Sequence, residues 1–462
     1  MTNDKYISTI GLEIHAELKT QTKMFCNSKN DPDETRPNVN VCPICFGHPG
    51  TLPVINKEAV KHVLKVGIAV QGKIADFTEF DRKNYFYPDI PKGYQISQYK
   101  FPLVVGGQLN KIGITRVHLE EDTGTSLHEE GDYSLVDFNR AGVPLMELVT
   151  EPVIHSAKEA SDFARELQLL LRYLGVSEAN MEKGEMRVEA NISISDIAKF
   201  GTKVEVKNLN SFKAVEKAIE YEIKRQETIL DGGEKVIQET RGWNDNKGET
   251  FSQRQKEESH DYRYFPEPDL PKLKLSEIPE LSVKSLQKEL PELPWVKRQR
   301  YLKDFDIKEK DIEIFAQNKK LANFFEATAN ILGDKKLIQL AANYIINDGV
   351  DEKISPASFA ELITMTGKGE LSSRGTKDVL VVMLEKSGKP IDIAQEFGLL
   401  QKNDEATLEK IVKNTINDNP KIVAEYKAGK IATLEFLVGQ GMKMSKGSAN
   451  PATLRQLLMK HL

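Results

Sequence analysis

Charged or polar side chains, with at least one Glu each time, occupy alternate positions in four short segments of the N-terminal half of the chain. Successive side chains of a β-strand point to opposite faces, so each polar set would share one face while the intervening apolar residues share the other. The sets are Glu13, His15 and Glu17 in residues 10–18; Arg116, His118 and Glu120 in residues 114–122; Arg187, Glu189, Asn191 and Ser193 in residues 186–193; and Lys203, Glu205 and Lys207 in residues 202–208. The pattern predicts an antiparallel sheet with one polar face.

A water-exposed sheet face is the simplest interpretation of any one of these segments. Each of the four carries Glu, however, and Glu is depleted in strands. Carboxylates on one face repel each other unless cations lie among them. Mg²⁺ takes oxygen ligands and bridges carboxylates to nucleotide phosphates, and Arg187, Lys203 and Lys207 would meet phosphate charge. We therefore predict metal-assisted phosphoryl transfer, with the nucleotide held by the sheet because the sequence has no Gly-rich phosphate loop.

Nine motifs follow one another along nearly the whole chain. They are Gly11–His15, Phe80–Asp89, Pro91–Gln98, His118–Asp122, Asp137–Leu145, Val204–Phe212, Asp261–Asp269, Gly439–Lys443 and Gly447–Pro451. Any one of them could arise by chance, but the ordered set is very specific. It resembles the B-subunit family of the aspartyl/glutamyl-tRNA(Asn/Gln) amidotransferases.

This resemblance implies an α+β fold with three parts. An N-terminal antiparallel-sheet cradle similar to glutamine synthetase would span residues 1–293, followed by an all-helical domain over 294–403 and a small helical, tRNA-binding tail over 404–462. Apolar residues at helical spacing predict helices within 311–346 and in 357–365, 377–384, 405–417, 420–428 and 431–439. Asn450-Pro451 predicts the start of a last helix.

The resemblance also implies the chemistry. ATP would phosphorylate the side-chain carboxylate of Glu on tRNA(Gln) or of Asp on tRNA(Asn), and ammonia would then displace phosphate to leave an amide. The leading metal and ATP-site residues by position are Glu13, His15, Glu120 and Glu121, with Glu147, Glu189 and Glu205 as second choices. The candidates for phosphate or the tRNA 3′ end are Arg82, Lys83, Arg140, Arg187 and Lys207, although each is as readily a solvated surface residue.

Two segments, residues 84–88 and 262–266, interleave aromatic with polar or charged side chains. Aromatic rings stack on unpaired bases, and the end of a tRNA is single-stranded. Tyr and Phe beside Pro equally often pack a loop onto a core. Both interpretations stay open from the sequence.

Three cysteines lie within the first 45 residues, and Cys42 and Cys45 have the spacing of a zinc knuckle with Cys26 upstream. Some family members have a fourth Cys where this chain has Ser28, and His48 could complete the set instead. A structural Zn²⁺ site and plain structural cysteines are the two alternatives. So few cysteines argue against a disulfide framework and suit a reducing cytoplasm.

The tail from residue 404 holds nine Lys or Arg and six Asp or Glu, whereas the whole chain carries a net charge of −5. This asymmetry suits contact with the tRNA backbone, largely through Lys443, Lys446 and Arg455. Ser448 stands where the family often has Lys, which weakens the basic patch. The alternative is a helical module that its Lys residues merely keep soluble.

Amide synthesis needs ammonia, and the sequence lacks an amidase-type serine signature or a papain-like cysteine. The resemblance implies two partners, an amidase subunit that supplies ammonia and a small subunit that clamps the pair. No apolar run approaches the ~20 residues of a membrane helix. A scaffold that only presents tRNA, and a ligase acting on a free amino acid, are the alternative functions.

Overall fold

The computed structural model describes residues 5–127, 132–197, 199–255, 262–350, 353–386, 388–401, 405–445 and 449–462. Contacts between residues divide the chain into two units, Met1–Pro294 and Trp295–Leu462. The first is mixed strand and helix and the second is helical, so the α+β prediction is confirmed. The similarity to glutamine synthetase and the three predicted domain boundaries stay predictions.

Strands build most of the first unit. They are β1 (Ile7–Glu17), β2 (Lys73–Ile74), β3 (Phe77–Thr78), β4 (Asp81–Asn84), β5 (Tyr94–Ser97), β6 (Val104–Val105), β7 (Gln108–Leu109), β8 (Ile112–Glu121), β9 (Thr125–Leu127), β10 (Leu135–Asp137), β11 (Pro144–Thr150), β12 (Met186–Ser195), β13 (Val204–Leu209), β14 (Glu239–Asn244), β15 (Glu249–Gln255), β16 (Phe265–Pro266) and β17 (Leu273–Lys274). The helices of this unit are α1 (Lys57–Ala69), α2 (Ala157–Leu174), α3 (Phe212–Asp231) and α4 (Val283–Glu289), with 3₁₀ turns at Leu275–Glu277 and Pro279–Leu281.

A ten-stranded sheet organises this unit, in the order β15-β14-β13-β12-β1-β11-β8-β6-β2, with β7 also pairing with β8. Its described pairs are antiparallel except β13 with β14, which α3 connects as a crossover. The four polar segments of the sequence are β1, β8, β12 and β13, and the predicted antiparallel pairing is confirmed for β1 with β12 and for β12 with β13. Three smaller groups complete the strands: β16-β4-β5, β9-β10 and β3-β17.

The alternation of β1 fixes which way each side chain points. Ile10, Ile14 and Ala16 have no exposed surface, and this face of the sheet is covered by α2 and α3. Burying each large aliphatic side chain stabilises the fold by roughly 1.5–3 kcal/mol. Replacing Ile14 by Ala would therefore cost about 2–5 kcal/mol. The hydrophobic face thus holds the register that turns the acidic residues to the other side.

Sequence analysis did not identify α1, α2 and α3, which lie within the strand-rich unit. Each helix begins at a polar cap: the side chains of Asn56, Ser156 and Ser211 accept hydrogen bonds from backbone N–H groups of the first turn. α2 ends at Gly175, whose φ of 68° is the left-handed conformation that favours glycine. These cap residues are the local signals that would have revealed the helices.

The second unit consists of helices. They are α5 (Pro294–Phe305), α6 (Glu309–Gln317), α7 (Lys319–Leu332), α8 (Lys335–Asn347), α9 (Pro356–Gly367), α10 (Ser373–Lys386), α11 (Pro390–Glu396), α12 (Glu405–Asp418), α13 (Pro420–Lys427), α14 (Thr433–Met444) and α15 (Pro451–His461). One hydrophobic core joins residues 301–394 and a second joins residues 408–458.

The helices expected from apolar spacing are confirmed. The Asn450 side chain accepts hydrogen bonds from the backbone N–H groups of Ala452 and Thr453, at 2.9 and 3.3 Å, and Pro451 takes the first helical position. Over the described ranges, no helix combines the length and the apolar character that crossing a membrane demands.

Candidate active site

Glu13, His15 and Glu147 meet on the polar face of the large sheet. Pairing of β1 with β11 places His15 directly opposite Glu147. The His15 Nε2 atom lies 3.5 Å from Glu147 Oε2 and 3.8 Å from Glu13 Oε1. Donor atoms of all three residues lie within 4.8 Å of one another, close enough to hold one metal ion.

A second group on the next strand shares Glu147. His118 of β8 lies opposite Glu147 in the pairing of β11 with β8, and its Nε2 atom is 3.4 Å from Glu147 Oε2. Glu120, two residues further along β8, has Oε2 3.8 Å from the same nitrogen and accepts a hydrogen bond from the Ser97 hydroxyl at 3.0 Å. His118, Glu120 and Glu147 form a second potential metal-binding group.

The third group extends across β12 and β13 and consists of Glu13, Glu189 and Glu205. Glu13 faces Glu189 directly across β1 and β12. The Lys207 amine lies 2.7 Å from Glu189 and 4.0 Å from Glu205. Six residues predicted from the sequence as metal or catalytic groups, namely Glu13, His15, Glu120, Glu147, Glu189 and Glu205, therefore converge, and we call them the carboxylate cluster.

Burial and mutual repulsion shift the proton affinities in this cluster. Burial, together with the charges of Glu147 and Glu189, raises the pKa of Glu13 to about 7. Burial opposes the charging of His15, but Glu147 and the neighbouring carboxylates outweigh it and raise its pKa to about 9. The pKa of His118 rises to about 9 by the same balance. With these pKa values, His15 and His118 are protonated near neutral pH and face the carboxylates as cations.

A cavity of about 540 Å³ opens onto the cluster. Its walls include three lysines, Lys83, Lys203 and Lys207, and also Arg116, which pairs with Glu147 at 3.1 Å. Its volume is that of a small-molecule site. The remaining lining residues are Glu13, Ser97, Gln98, Tyr99, His118, Glu120, Glu147, Glu205, Gln238, Thr240, Tyr262 and Tyr264.

Glu121 is not brought to the carboxylate cluster. It neighbours Glu120 in β8, so its side chain points to the opposite face of the strand. There both carboxylate oxygens accept from the Lys92 amine, at 2.5 and 2.6 Å, and one also accepts from the backbone N–H of Ile96 at 2.8 Å. The structure therefore separates two residues that the sequence analysis placed in one site.

The three arginines predicted to bind phosphate are engaged elsewhere. Arg82 forms a two-pronged pair with Glu267, at 2.6 and 2.8 Å. Arg187 pairs with Asp122 at 2.9 Å, and Arg140 donates to the backbone carbonyls of residues 123 and 124 while lying 3.7 Å from Asp122. Lys83 and Lys207 are the members of the predicted phosphate set that line the cavity.

Several residues of the site were missed by sequence reasoning. Ser97 and Thr240 each donate a hydrogen bond to a cluster carboxylate, Glu120 and Glu205 respectively, at 3.0 and 2.7 Å. Both come from strands without an alternating acidic pattern, so no local signal marks them. Arg116 did share a strand face with His118 in the sequence, and that alignment was the available signal.

Similarity to known proteins shows the family of the chain. Residues 8–279 match the GatB/GatE catalytic domain, and residues 315–462 match the GatB domain. The aspartyl/glutamyl-tRNA(Asn/Gln) amidotransferase B subunit of Thermodesulfovibrio yellowstonii is 44% identical, over 99% of each chain. The protein of the same name from Dehalococcoides mccartyi strain CBDB1 is 45% identical, also over 99% of each chain. The chain belongs to this amidotransferase B-subunit family. It is therefore part of an enzyme of the ligase class.

In this member of the family, the three cysteines form a compact group. The Cys45 sulfur lies 3.3 Å from that of Cys26 and 3.6 Å from that of Cys42. Ser28, at the position where the resemblance suggested a fourth ligand, places its hydroxyl 3.4 Å from Cys45. His48 is not part of the group of potential metal ligands, so the fourth position faces Ser28. The buried Lys23 amine lies 3.7 Å from Cys45.

The predicted tRNA-contacting residues lie in the second unit. Lys443 is exposed near the end of α14. Arg455 of α15 pairs with Glu435 at 2.8 Å, so part of its charge is neutralised within the tail. Lys446 and Ser448 lie outside the described residues.

Proposed function

We propose that this chain uses ATP to activate the side-chain carboxylate of Glu on tRNA(Gln), of Asp on tRNA(Asn), or of both, and that ammonia delivered by a partner protein completes the amide. The observation that carries the proposal is the carboxylate cluster at one wall of a cavity that also contains Lys83 and Lys207. Sequence relatives bear the name of an aminoacyl-tRNA amidotransferase subunit, which sets the substrate class.

Magnesium fits the donor set of the cluster. The carboxylate oxygens of Glu13, Glu147 and Glu120 are the ligands that Mg²⁺ prefers, and ligand atoms of Glu13 and Glu147, and of Glu120 and Glu147, lie within 4.8 Å of one another. His15 and His118 would hold these carboxylates in place, or bind the ion through Nε2. When bound there, Mg²⁺ would neutralise negative charge on the nucleotide phosphates. Glu189 and Glu205, together with Glu13, would bind an ion at the neighbouring group.

The lysines of the cavity would orient the phosphates. Lys207 is held between Glu189 and Glu205, so its amine is presented toward the same space. The charges of Glu120 and other nearby groups outweigh burial and hold the pKa of Lys83 well above its usual value, so this lysine stays charged. Both can donate to the transferred phosphate, as point charges. Arg82, Arg140 and Arg187 would instead support the surrounding loops through the pairs described above.

Activation is needed because a carboxylate is a poor electrophile. Transfer of the terminal phosphate of ATP to a carboxylate oxygen forms an acyl phosphate and releases ADP. The nitrogen of ammonia then attacks the acyl carbon, the carbon–oxygen bond to phosphate breaks, and phosphate leaves while a proton is lost from nitrogen. Holding both reactants in one cavity would make the transfer effectively intramolecular and so lower its barrier.

Ammonia would come from the partner amidase subunit, with the small third subunit needed to complete the assembly. The Ser372 hydroxyl accepts from the backbone N–H of Gly375 at 3.0 Å and thereby caps α10, so it is used structurally. The cysteines contact one another rather than a histidine. Among the described residues, no cysteine forms the Cys–His pair of a papain-like nucleophile. The tail, with Lys443 and Arg455, would contact the tRNA backbone. As a separate proposal, the first unit would share the cradle fold of glutamine synthetase.

The test is an assay of the complete complex with mischarged tRNA, glutamine and ATP, followed by analysis of the amino acid on the tRNA. Glu13→Gln should abolish ATP cleavage and amide formation while tRNA affinity stays within about twofold, because the tail that contacts tRNA is unchanged. The matched control is Glu178→Gln, which changes an exposed carboxylate paired with Lys19. ATP cleavage by Glu13→Gln at the wild-type rate would refute the proposal and leave a tRNA-presenting scaffold.

A further inference from the structure

Two tyrosine rings from distant segments stack face to face beside the cavity. The centroids of the Tyr99 and Tyr264 rings are 4.1 Å apart, and their planes differ by only 9°. Tyr99 is 51% exposed, so this pair does not belong to the hydrophobic core. Tyr262 meets Tyr264 edge to face at 6.0 Å and also lines the cavity. We call Tyr99 and Tyr264 the tyrosine platform.

Each half of the platform is fixed by the backbone around it. On one side, the buried carboxylate of Asp81 accepts from the backbone N–H groups of Tyr99 and Lys100, at 3.0 and 3.3 Å. On the other side, Arg263 adopts a φ of +45°, a left-handed conformation that is unfavourable for a residue with a side chain.

Asn84 holds this unfavourable turn in place. Its amide donates to the backbone carbonyls of Tyr262 and Arg263, at 3.2 and 2.9 Å. Strained backbone persists where surrounding contacts over-determine it, and such positions concentrate at ligand sites. The turn therefore fixes the tyrosines on either side of Arg263 in a particular geometry.

The platform lies in the same cavity as the carboxylate cluster and the phosphate-facing lysines. The Lys83 amine lies 4.9 Å from the centre of the Tyr262 ring, and it lines the cavity together with the tyrosines and the carboxylates. A ligand that spans these features has a flat aromatic part at one end and negative charge at the other. A nucleotide has this division, because its base stacks on aromatic rings while its phosphates meet cations and metal.

We propose that the tyrosine platform stacks an adenine ring in this cavity. The inference rests on the proposed function, which requires a nucleotide here, and adds where its base binds. Adenine reaches such a site from two sources, ATP itself or the terminal adenosine of the tRNA, and both share the same stacking chemistry. Stacking on a ring face tolerates either source, because it depends on the π-surface of the base.

The experiment measures Michaelis constants in the complete complex. Tyr99→Leu keeps apolar bulk but removes the aromatic face, whereas Tyr99→Phe keeps that face and serves as the matched control. Loss of one stacked base should raise the affected Michaelis constant by about tenfold. A rise for ATP assigns the platform to the ATP adenine, and a rise for aminoacyl-tRNA assigns it to the terminal adenosine. Tyr264→Leu should shift the same constant, and Tyr264→Phe should not.

Both Michaelis constants unchanged in Tyr99→Leu and in Tyr264→Leu would overturn the inference. So would an equal rise in the Phe variants, because these retain the stacking face. Equilibrium titration of the complex with ADP and Mg²⁺, and separately with a CCA trinucleotide, gives a readout that does not require turnover. An inactive wild-type complex would instead refute the proposed function, so the two failures are distinguishable.

Discussion

His15 and His118 direct their Nε2 atoms at the same oxygen of Glu147, from 3.5 and 3.4 Å. The two histidines belong to β1 and β8, and Glu147 lies on the strand between them. Burial alone would raise the pKa of Glu147, but the two imidazoles hold it well below its usual range. Glu147 therefore links the two halves of the carboxylate cluster.

Glu147→Gln should weaken Mg²⁺ binding and so raise the Mg²⁺ concentration that ATP cleavage requires. The amide keeps the shape of the side chain but removes the charge that both histidines contact, and loss of such a group typically costs about 10–100-fold in metal affinity. The measurement is the Mg²⁺ concentration that gives half-maximal ATP cleavage. Glu151→Gln is the control, since that carboxylate is exposed and bonds only the Thr115 hydroxyl among the contacts described. An unchanged Mg²⁺ requirement would contradict the assignment.

Zinc retention tests the cysteine group. Ser28→Cys would complete a set of four sulfur ligands, because the Ser28 hydroxyl already lies 3.4 Å from Cys45. Zinc-loaded Ser28→Cys should therefore release the metal to a chelator roughly tenfold more slowly than the natural sequence, by colorimetric assay. Ser28→Ala is the matched control and should not slow release. If no variant retains zinc after gel filtration, the cysteines are purely structural.

Because His62 has a lowered pKa in the folded chain, we predict that the protein loses stability at acidic pH. It is buried in α1, and burial together with Lys65 and Lys61 lowers its pKa despite the opposing charge of Glu58. The unfolded chain then binds a proton near pH ~6.5 that the folded chain does not accept. Stability is therefore complete above this pH and falls as the pH drops toward the lower pKa of the folded state.

The variant His62→Leu should remove this contribution. Between about pH 7.5 and 5.5, its thermal midpoint should fall less than that of the natural sequence. His48→Leu, at an exposed position outside this helix, provides the comparison. Parallel pH profiles for His62→Leu and the natural sequence would rule out the contribution.

Salt dependence separates the two predicted tRNA contacts that the structure describes. Lys443→Gln should weaken aminoacyl-tRNA binding and reduce the slope of log affinity against log salt by about 1. Arg455→Gln should have a smaller effect, because its guanidinium already pairs with Glu435. Filter binding across a range of salt concentrations measures both slopes. Equal slopes in Lys443→Gln and the natural sequence would argue for a tail that only keeps the chain soluble.

Strand alternation predicted much of the site but not all of it. Glu13, His15, Glu120 and Glu189 follow from period two within single strands, because that rule is local. The place of Glu147 between two histidines depends on the register of β11 against β1 and β8, which one sequence does not specify. Glu121 was carried into the site by resemblance, although the same alternation places it on the opposite face of β8.

The charged residues show the other limit of sequence reasoning. Arg82 and its partner Glu267 are far apart in sequence, so the pair that occupies this arginine was not predictable. The same holds for Arg187 with Asp122. The helices of the second unit were predicted because apolar spacing of about 3.6 residues is a strong local signal. α1, α2 and α3 were missed although local signals existed: each has a polar cap, and in α2 the buried residues Ala160, Phe163, Leu167, Leu170 and Leu174 follow helical spacing.

The central position of β1 has a consequence for synthesis of the chain. This strand, Ile7–Glu17, is translated before both of its neighbours, β11 and β12, which end at Thr150 and Ser195. Both edges of the strand, one face of which is apolar, stay open while more than a hundred further residues are translated, and open edges invite association with other chains. Nascent chains should therefore depend on chaperones, and the carboxylate cluster cannot assemble until translation has passed Glu205 in β13.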